Sequence, residues 1–225
     1  MYNSNRGNQG RGGNNFNRGG RPDRRGGNGG GGYGRGRYQQ DQRPRRNALP
    51  EGFSLYYMAV MCPGEINDRV TDMKNWMKDQ YGCVAASKSP AHLTIVPPFR
   101  AEDEMEATLL DFVSTFNIGV LPFEIRLNGY GNFDSRVLFV NVDDSQALMQ
   151  LEQDAMADFQ QHFPSIIFGM KPPFHPHVTI ATRDIPEGKL SEAKAHFEAT
   201  QPFDDVFSVK ELRLVKLVNG TWEVL

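Results

Sequence analysis

The segment FHPHVTIA, Phe174–Ala181, places two histidines two residues apart in a stretch that reads as a strand. Residues i and i+2 of a strand project to one face. Taken alone, His175 and His177 form a possible metal clamp. A second segment changes that reading. SPAHLTI, Ser89–Ile95, repeats histidine, threonine and isoleucine at the same spacing, but Pro90 stands where His175 would be. The shared unit is H-x-T-I, at His92–Ile95 and at His177–Ile180. Strand alternation sends His and Thr to one face and the apolar residues (Leu93 and Ile95, Val178 and Ile180) to the other. The repeated chemistry therefore starts at His177. His175 takes a supporting place beside Pro176, and a metal-dependent phosphoesterase using His175 and His177 is the minority reading.

The elements around the two motifs repeat as well. FSLYYMAVM, Phe53–Met61, reads as a strand. Ile66, Val70, Met73 and Met77 mark a helix to Tyr81. Strands are predicted at Ala91–Val96 and Leu121–Leu127, with a helix over Glu102–Phe116 between them. The order then recurs: a strand at Val137–Val142, a helix from Ser145 to Phe163, the HVTIA strand, and a helix through Leu190, Ala193 and Phe197. A long strand follows at Phe207–Val218, with a short hairpin partner at Thr221–Leu225. Phe53 to Val137 spans 84 residues and His92 to His177 spans 85, so the landmarks shift almost in step. These observations predict an α+β, bilobal, pseudo-twofold duplicated domain over residues 51–225. It has two mainly antiparallel sheets, helices on their outer faces and a central cleft. The lobes fall at roughly 53–130 and 137–225, with intertwining of the two allowed.

Residues 1–50 differ in kind. They hold eleven arginines against two aspartates, a net +9, so with −2 for the whole chain residues 51–225 carry −11. Residues 1–48 contain fourteen glycines and almost no aliphatic side chains, too few to offset the entropy of ordering. A disordered tail is expected. RGG occurs at Arg11–Gly13, Arg18–Gly20 and Arg25–Gly27, with Tyr2, Phe16, Tyr33 and Tyr38 among the arginines. Guanidinium groups pair with phosphates and stack on bases, and aromatics add stacking surface. The tail resembles the RGG boxes of RNA-binding proteins, which implies weak, salt-sensitive binding of single-stranded RNA.

Cys62 and Cys83 are the only cysteines and are expected to be buried free thiols. No apolar run reaches the length of a membrane span, and the first residues carry no apolar signal core. A cytoplasmic monomer without membrane contact is the expectation.

Two imidazoles facing each other suit a reaction in which one proton is removed and another delivered. Histidine holds both protonation states near neutral pH, and two threonine hydroxyls between the rings can donate to the oxygens of a phosphate. Phosphodiester cleavage fits, with no cofactor. Arg100, Arg183 and Lys171 are candidate phosphate binders, and Phe99 and Phe174 candidate base-stacking residues. His162 and His196, late in their helices, are expected to be solvated.

The paired HLTI and HVTI segments in a duplicated α/β body, with PPF at Pro97–Phe99 and PHVTIA at Pro176–Ala181, resemble the 2H phosphoesterase superfamily. That superfamily includes the 2′-5′ RNA ligase-like proteins and cyclic phosphodiesterases. The resemblance covers about residues 52–225. It implies metal-independent hydrolysis of 2′,3′-cyclic phosphates or 2′-5′ phosphodiesters, with RNA 2′-5′ ligation as a further activity. By that likeness His92 and His177 are the catalytic acid–base pair, and Thr94 and Thr179 hold the phosphate. Which histidine is the base stays open. The alternative is a non-catalytic RNA-binding protein that uses the tail and a phosphate-binding cleft.

Overall fold

The computed structural model describes residues 49–168 and 173–225; residues 1–48, and Lys171 with its neighbours, lie outside it. Strand β1, Phe53–Met61, shows how the body is built. Tyr56, Tyr57, Met58, Ala59 and Val60 are all buried, on both faces of the strand. An interior strand covered on both sides reads as a continuous apolar run rather than an alternating one.

Helix α1, Gly64–Tyr81, follows and buries Ile66, Val70, Met73 and Met77, the residues at helical spacing. It ends at Gly82, whose φ of 73° places it in the left-handed region; its N–H donates to the Lys78 carbonyl. Strand β2, His92–Glu102, leads into α2, Glu106–Ile118. Next come β3, Phe123–Phe133, and β4, Val137–Val142. Helix α3, Gln146–His162, is capped by Ser145, whose hydroxyl accepts from the Leu148 N–H. Strand β5, His177–Thr182, and helix α4, Lys189–Thr200, precede β6, Asp204–Val209, β7, Arg213–Val218, and β8, Thr221–Val224. Among the described residues no helix is long and apolar enough to cross a membrane.

The strands form two four-stranded sheets, ordered β2-β1-β7-β8 and β5-β4-β3-β6. Among the described residues every pairing is antiparallel. The predicted α+β class with two antiparallel sheets is what the chain adopts. Each H-x-T strand lies at an edge: β2 beside β1 in one sheet, β5 beside β4 in the other.

One expectation changes. The long strand predicted over Phe207–Val218 is broken at Lys210–Leu212, and its halves belong to different sheets. At the break the Asn117 side chain takes over the missing ladder. Its Oδ1 accepts from the Leu212 N–H at 2.8 Å and its Nδ2 donates to the Leu212 carbonyl at 2.9 Å. The sheets also exchange strands, the intertwining that the sequence reading allows. β3 pairs with β4 and β6, and β7 with β1, so neither sheet is a contiguous stretch of chain such as 53–130. The cause is local. β3 runs on to Phe133, leaving three residues before β4, and so short a connection can only join antiparallel neighbours. The β7–β8 connection is shorter still: Asn219 and Gly220, at φ of 51° and 84°, form a two-residue turn of the type that matches strand twist.

Helices cross over too. α1 packs against β5 and α3 against β2, so the helix after each central strand supports the motif strand of the opposite sheet. One hydrophobic core joins residues of both sheets, including Met58, Leu93, Leu138 and Val178. A small second cluster, Tyr57, Ala59 and Val215 with Met61 and Trp222, covers the other face of the β1 sheet.

Candidate active site

The two motifs are buried in the same pattern. In β2 and in β5 the His and Thr are half-buried, while Leu93, Ile95, Val178 and Ile180 are fully buried. Apolar anchoring of alternate residues holds both strands in register, because a slip of one residue would turn every side chain over. His92 and Thr94 thus share a face, as do His177 and Thr179. β2 and β5 approach each other, and the His177 charge acts on His92.

Each imidazole is oriented in the same way. His92 Nδ1 lies 2.8 Å from the Pro90 carbonyl oxygen. His177 Nδ1 lies 2.7 Å from the His175 carbonyl oxygen. A carbonyl only accepts, so Nδ1 carries the proton in both rings and Nε2 is the nitrogen left for chemistry. His175 contributes its backbone here, and Pro90 does the same in the other motif. Among the described residues no three His, Cys, Asp or Glu side chains converge where a metal ion could sit.

Aromatic rings pack against both histidines. Tyr57 stacks on His92 with centroids 4.8 Å apart, and Trp222 meets Tyr57 edge-on at 4.6 Å. Phe133 and Phe139 each lie 4.9 Å from His177. The Phe139 ring occupies space that Gly131 leaves open: a Cβ there would come within 2.4 Å of the ring. The sequence reading, which ends the third strand at Leu127, singles out none of these four aromatics. Glycine at a strand position, a mark of close approach, is the signal that would have found Gly131.

Burial lowers both histidines. It pushes His92 down to about 4, helped by the positive charges of Lys74 and His177 and opposed by the Pro90 carbonyl. His177 is lowered by burial and by His175, against the His175 carbonyl. Both rings are therefore neutral at pH 7 before substrate arrives, and an anionic phosphate between them would favour a second proton.

The remaining predicted residues are placed elsewhere. Arg100 is exposed on β2, eight residues beyond His92, roughly 25 Å away at strand rise. Arg183 is exposed just past β5, six residues beyond His177, roughly 20 Å by the same measure. Phe99 is not available to a base: it is 4% exposed and packs against Phe159 at 4.7 Å. Phe174 is half-buried against the main core. Lys171 lies outside the described residues. His196 is not simply solvated, because it stacks flat on Trp76 at 4.1 Å; His162 is exposed, with its Nδ1 bonded to the Asp158 carbonyl. A groove of about 920 Å³ between α2 and α3, floored by Phe112 and Phe163, contains none of the four motif residues.

Residues 62–221 match the sequence model of the 2′-5′ RNA ligase superfamily. Among curated proteins none matches the chain. The solved structure of TT0787 of Thermus thermophilus is similar over 76% of this chain and 94% of that one, at 21% identity and a TM-score of 0.55. The apo form of E. coli LigT is similar over 77% of this chain and 94% of that one, at 20% identity and a TM-score of 0.49. At such identities the likeness to TT0787 is one of fold.

Proposed function

The chain belongs to the 2′-5′ RNA ligase superfamily, a membership that supports a phosphoesterase-type activity, and on that premise we propose that it hydrolyses RNA-type 2′,3′-cyclic phosphates or 2′-5′ phosphodiesters by two-histidine acid–base catalysis. The observation that carries this reading is the matched setting of His92 and His177, each with Nδ1 held by the carbonyl two residues back and Nε2 left for the substrate.

One imidazole Nε2 removes a proton from water as its oxygen attacks phosphorus. The P–O bond to the ribose oxygen breaks, and the other ring, protonated, gives its proton to that leaving oxygen. One ring gains a proton and the other loses one, and exchange with solvent restores both. Thr94 and Thr179 donate hydrogen bonds to the non-bridging oxygens as charge grows there. With a 5′-hydroxyl in place of water, the same displacement on a cyclic phosphate joins two ends, which is the ligation counterpart. The Arg/Gly-rich segment of residues 1–48 adds affinity for single-stranded RNA and raises its local concentration.

The test is turnover of nucleoside 2′,3′-cyclic phosphates and 2′-5′-linked dinucleotides by the full chain in EDTA. Hydrolysis that vanishes in His92→Ala and His177→Ala is expected. Binding without turnover, or full activity in either variant, overturns the reading.

A further inference from the structure

Among the described residues Lys74 is the one charged side chain that is buried, at 5% exposure, and the reaction above makes no use of it. It sits on the inner face of α1, and its amine donates to the Ser89 carbonyl at 2.7 Å. Ser89 is a junction. Its hydroxyl lies 2.8 Å from the Tyr57 hydroxyl and 3.2 Å from His92 Nδ1. The next residue, Pro90, supplies the carbonyl that holds the same nitrogen. Lys74 thus fixes the backbone of the two residues that set the His92 ring.

The other end of this segment is fixed from the strand of His177. Asp184, two residues past β5, accepts at one carboxylate oxygen from the Val84 N–H at 2.7 Å and the Ala85 N–H at 2.8 Å. Its carbonyl accepts from the Cys83 thiol. The second carboxylate oxygen is buried and, among the described residues, has no hydrogen-bond partner. Arg183, just before it, has a φ of 68°, an uncommon conformation for a residue with a side chain and one held only where surrounding structure demands it.

We infer that Lys74 and Asp184 are positioning residues that clamp residues 83–90 between α1 and the His177 strand, so that the His92 ring is held relative to His177 and its proton is coupled to the Lys74 charge. The clamp rests on the reading of the two histidines as the reacting pair. It also makes the two halves of the pseudo-symmetric site unequal. The groups around Lys74 are Cys62, pushed up to about 12 by burial and so neutral, and His92. Tyr57, likewise raised to about 12, is neutral too. Among the described residues, the groups acting on His177 are the carbonyl and ring of His175, and no lysine is among them.

The experiment follows the ring signals of His92 and His177 by NMR across pH in the full chain carrying labelled imidazoles. A positive amine beside an imidazole disfavours imidazolium, so Lys74→Met moves the His92 titration to higher pH, leaves that of His177 in place, and is reversed by Lys74→Arg. Asp184→Ala shifts the His92 ring signals although it lies on the other motif's side. It lowers kcat about 10²-fold with little change in KM. Asp184→Asn, which keeps an acceptor for both N–H groups, restores them. In the unsubstituted chain a second inflection of the His92 signals appears as Lys74, lowered to about 8 by burial, loses its proton. The inference is overturned if that inflection is absent, or if folded Lys74→Met or Asp184→Ala leaves His92 as it was. These signals are read without turnover, so a chain that hydrolysed nothing would overturn the proposed function and leave this result standing.

Discussion

His177 Nδ1 and the His175 carbonyl oxygen lie 2.7 Å apart, a contact that turns a histidine pair resembling a metal clamp into a backbone prop for one imidazole. The relation of His92 to Pro90 is the same, at 2.8 Å. A proline serves as well as a histidine because only the carbonyl is used. His175→Ala is therefore expected to retain most of the hydrolysis of a 2′,3′-cyclic nucleotide, whereas His177→Ala loses about 10²–10⁴-fold in kcat/KM. Steady-state kinetics of the two variants in EDTA separates the roles.

The acid side of the pH–rate profile follows from the same burial. The ring that acts as base must be neutral to accept a proton, and both rings are lowered from the ordinary value. The acid limb of kcat/KM is expected below about pH 6.5, the usual histidine value. A profile from about pH 4 to 9 on a cyclic nucleotide checks it.

Stability carries the complementary sign. His92 has a folded value of about 4, below its unfolded one, so the unfolded chain binds its proton first as pH falls. Stability is unaffected above the unfolded value and is lost as pH drops from about 6.5 toward 4, by at most roughly 3 kcal/mol. Thermal melts of the body at about pH 7.5 and 5, compared with His92→Gln, should show a smaller acid shift in the variant.

Gly131 is expected to resist substitution. An added Cβ would meet the Phe139 ring at 2.4 Å and crowd Asn141 Oδ1 as well, and Phe139 packs on His177. Gly131→Ala should cost about 1–3 kcal/mol in urea unfolding and lower kcat as the His177 ring is displaced.

Asn117 closes the break between β6 and β7. Asn117→Ala leaves the N–H and carbonyl of Leu212 without their partners and should destabilise the body by about 2 kcal/mol, with the histidine chemistry otherwise intact. Denaturant midpoints together with kcat at low temperature test both halves.

Removal of residues 1–48, which carry all eleven arginines of the Arg/Gly-rich segment, is expected to weaken binding of single-stranded RNA and flatten its salt dependence. Turnover of a mononucleotide should be unchanged. Binding isotherms at several salt concentrations decide it.

The sequence by itself determined the two motif strands and the helices around them. Two H-x-T-I units on strands can be recognised because alternation is a local property: His and Thr must share a face wherever Leu93, Ile95, Val178 and Ile180 are buried. The helices are equally legible, since Val70, Met73 and Met77 or Leu148, Leu151 and Phe159 mark a buried face by spacing alone. What only the tertiary structure decided is how the strands are shared between sheets. Pairing is non-local, and the exchange of β3 and β7 turns on where β3 ends and on a break at Leu212 that Asn117, 95 residues away, makes possible. The surroundings of the histidines belong to the same class. Tyr57, Ser89, Lys74 and Phe139 come from separate elements, and nothing in their own segments announces the ring they hold. The backbone partners of the two imidazoles lie in plain view two residues before each histidine, but a carbonyl has no letter in a sequence.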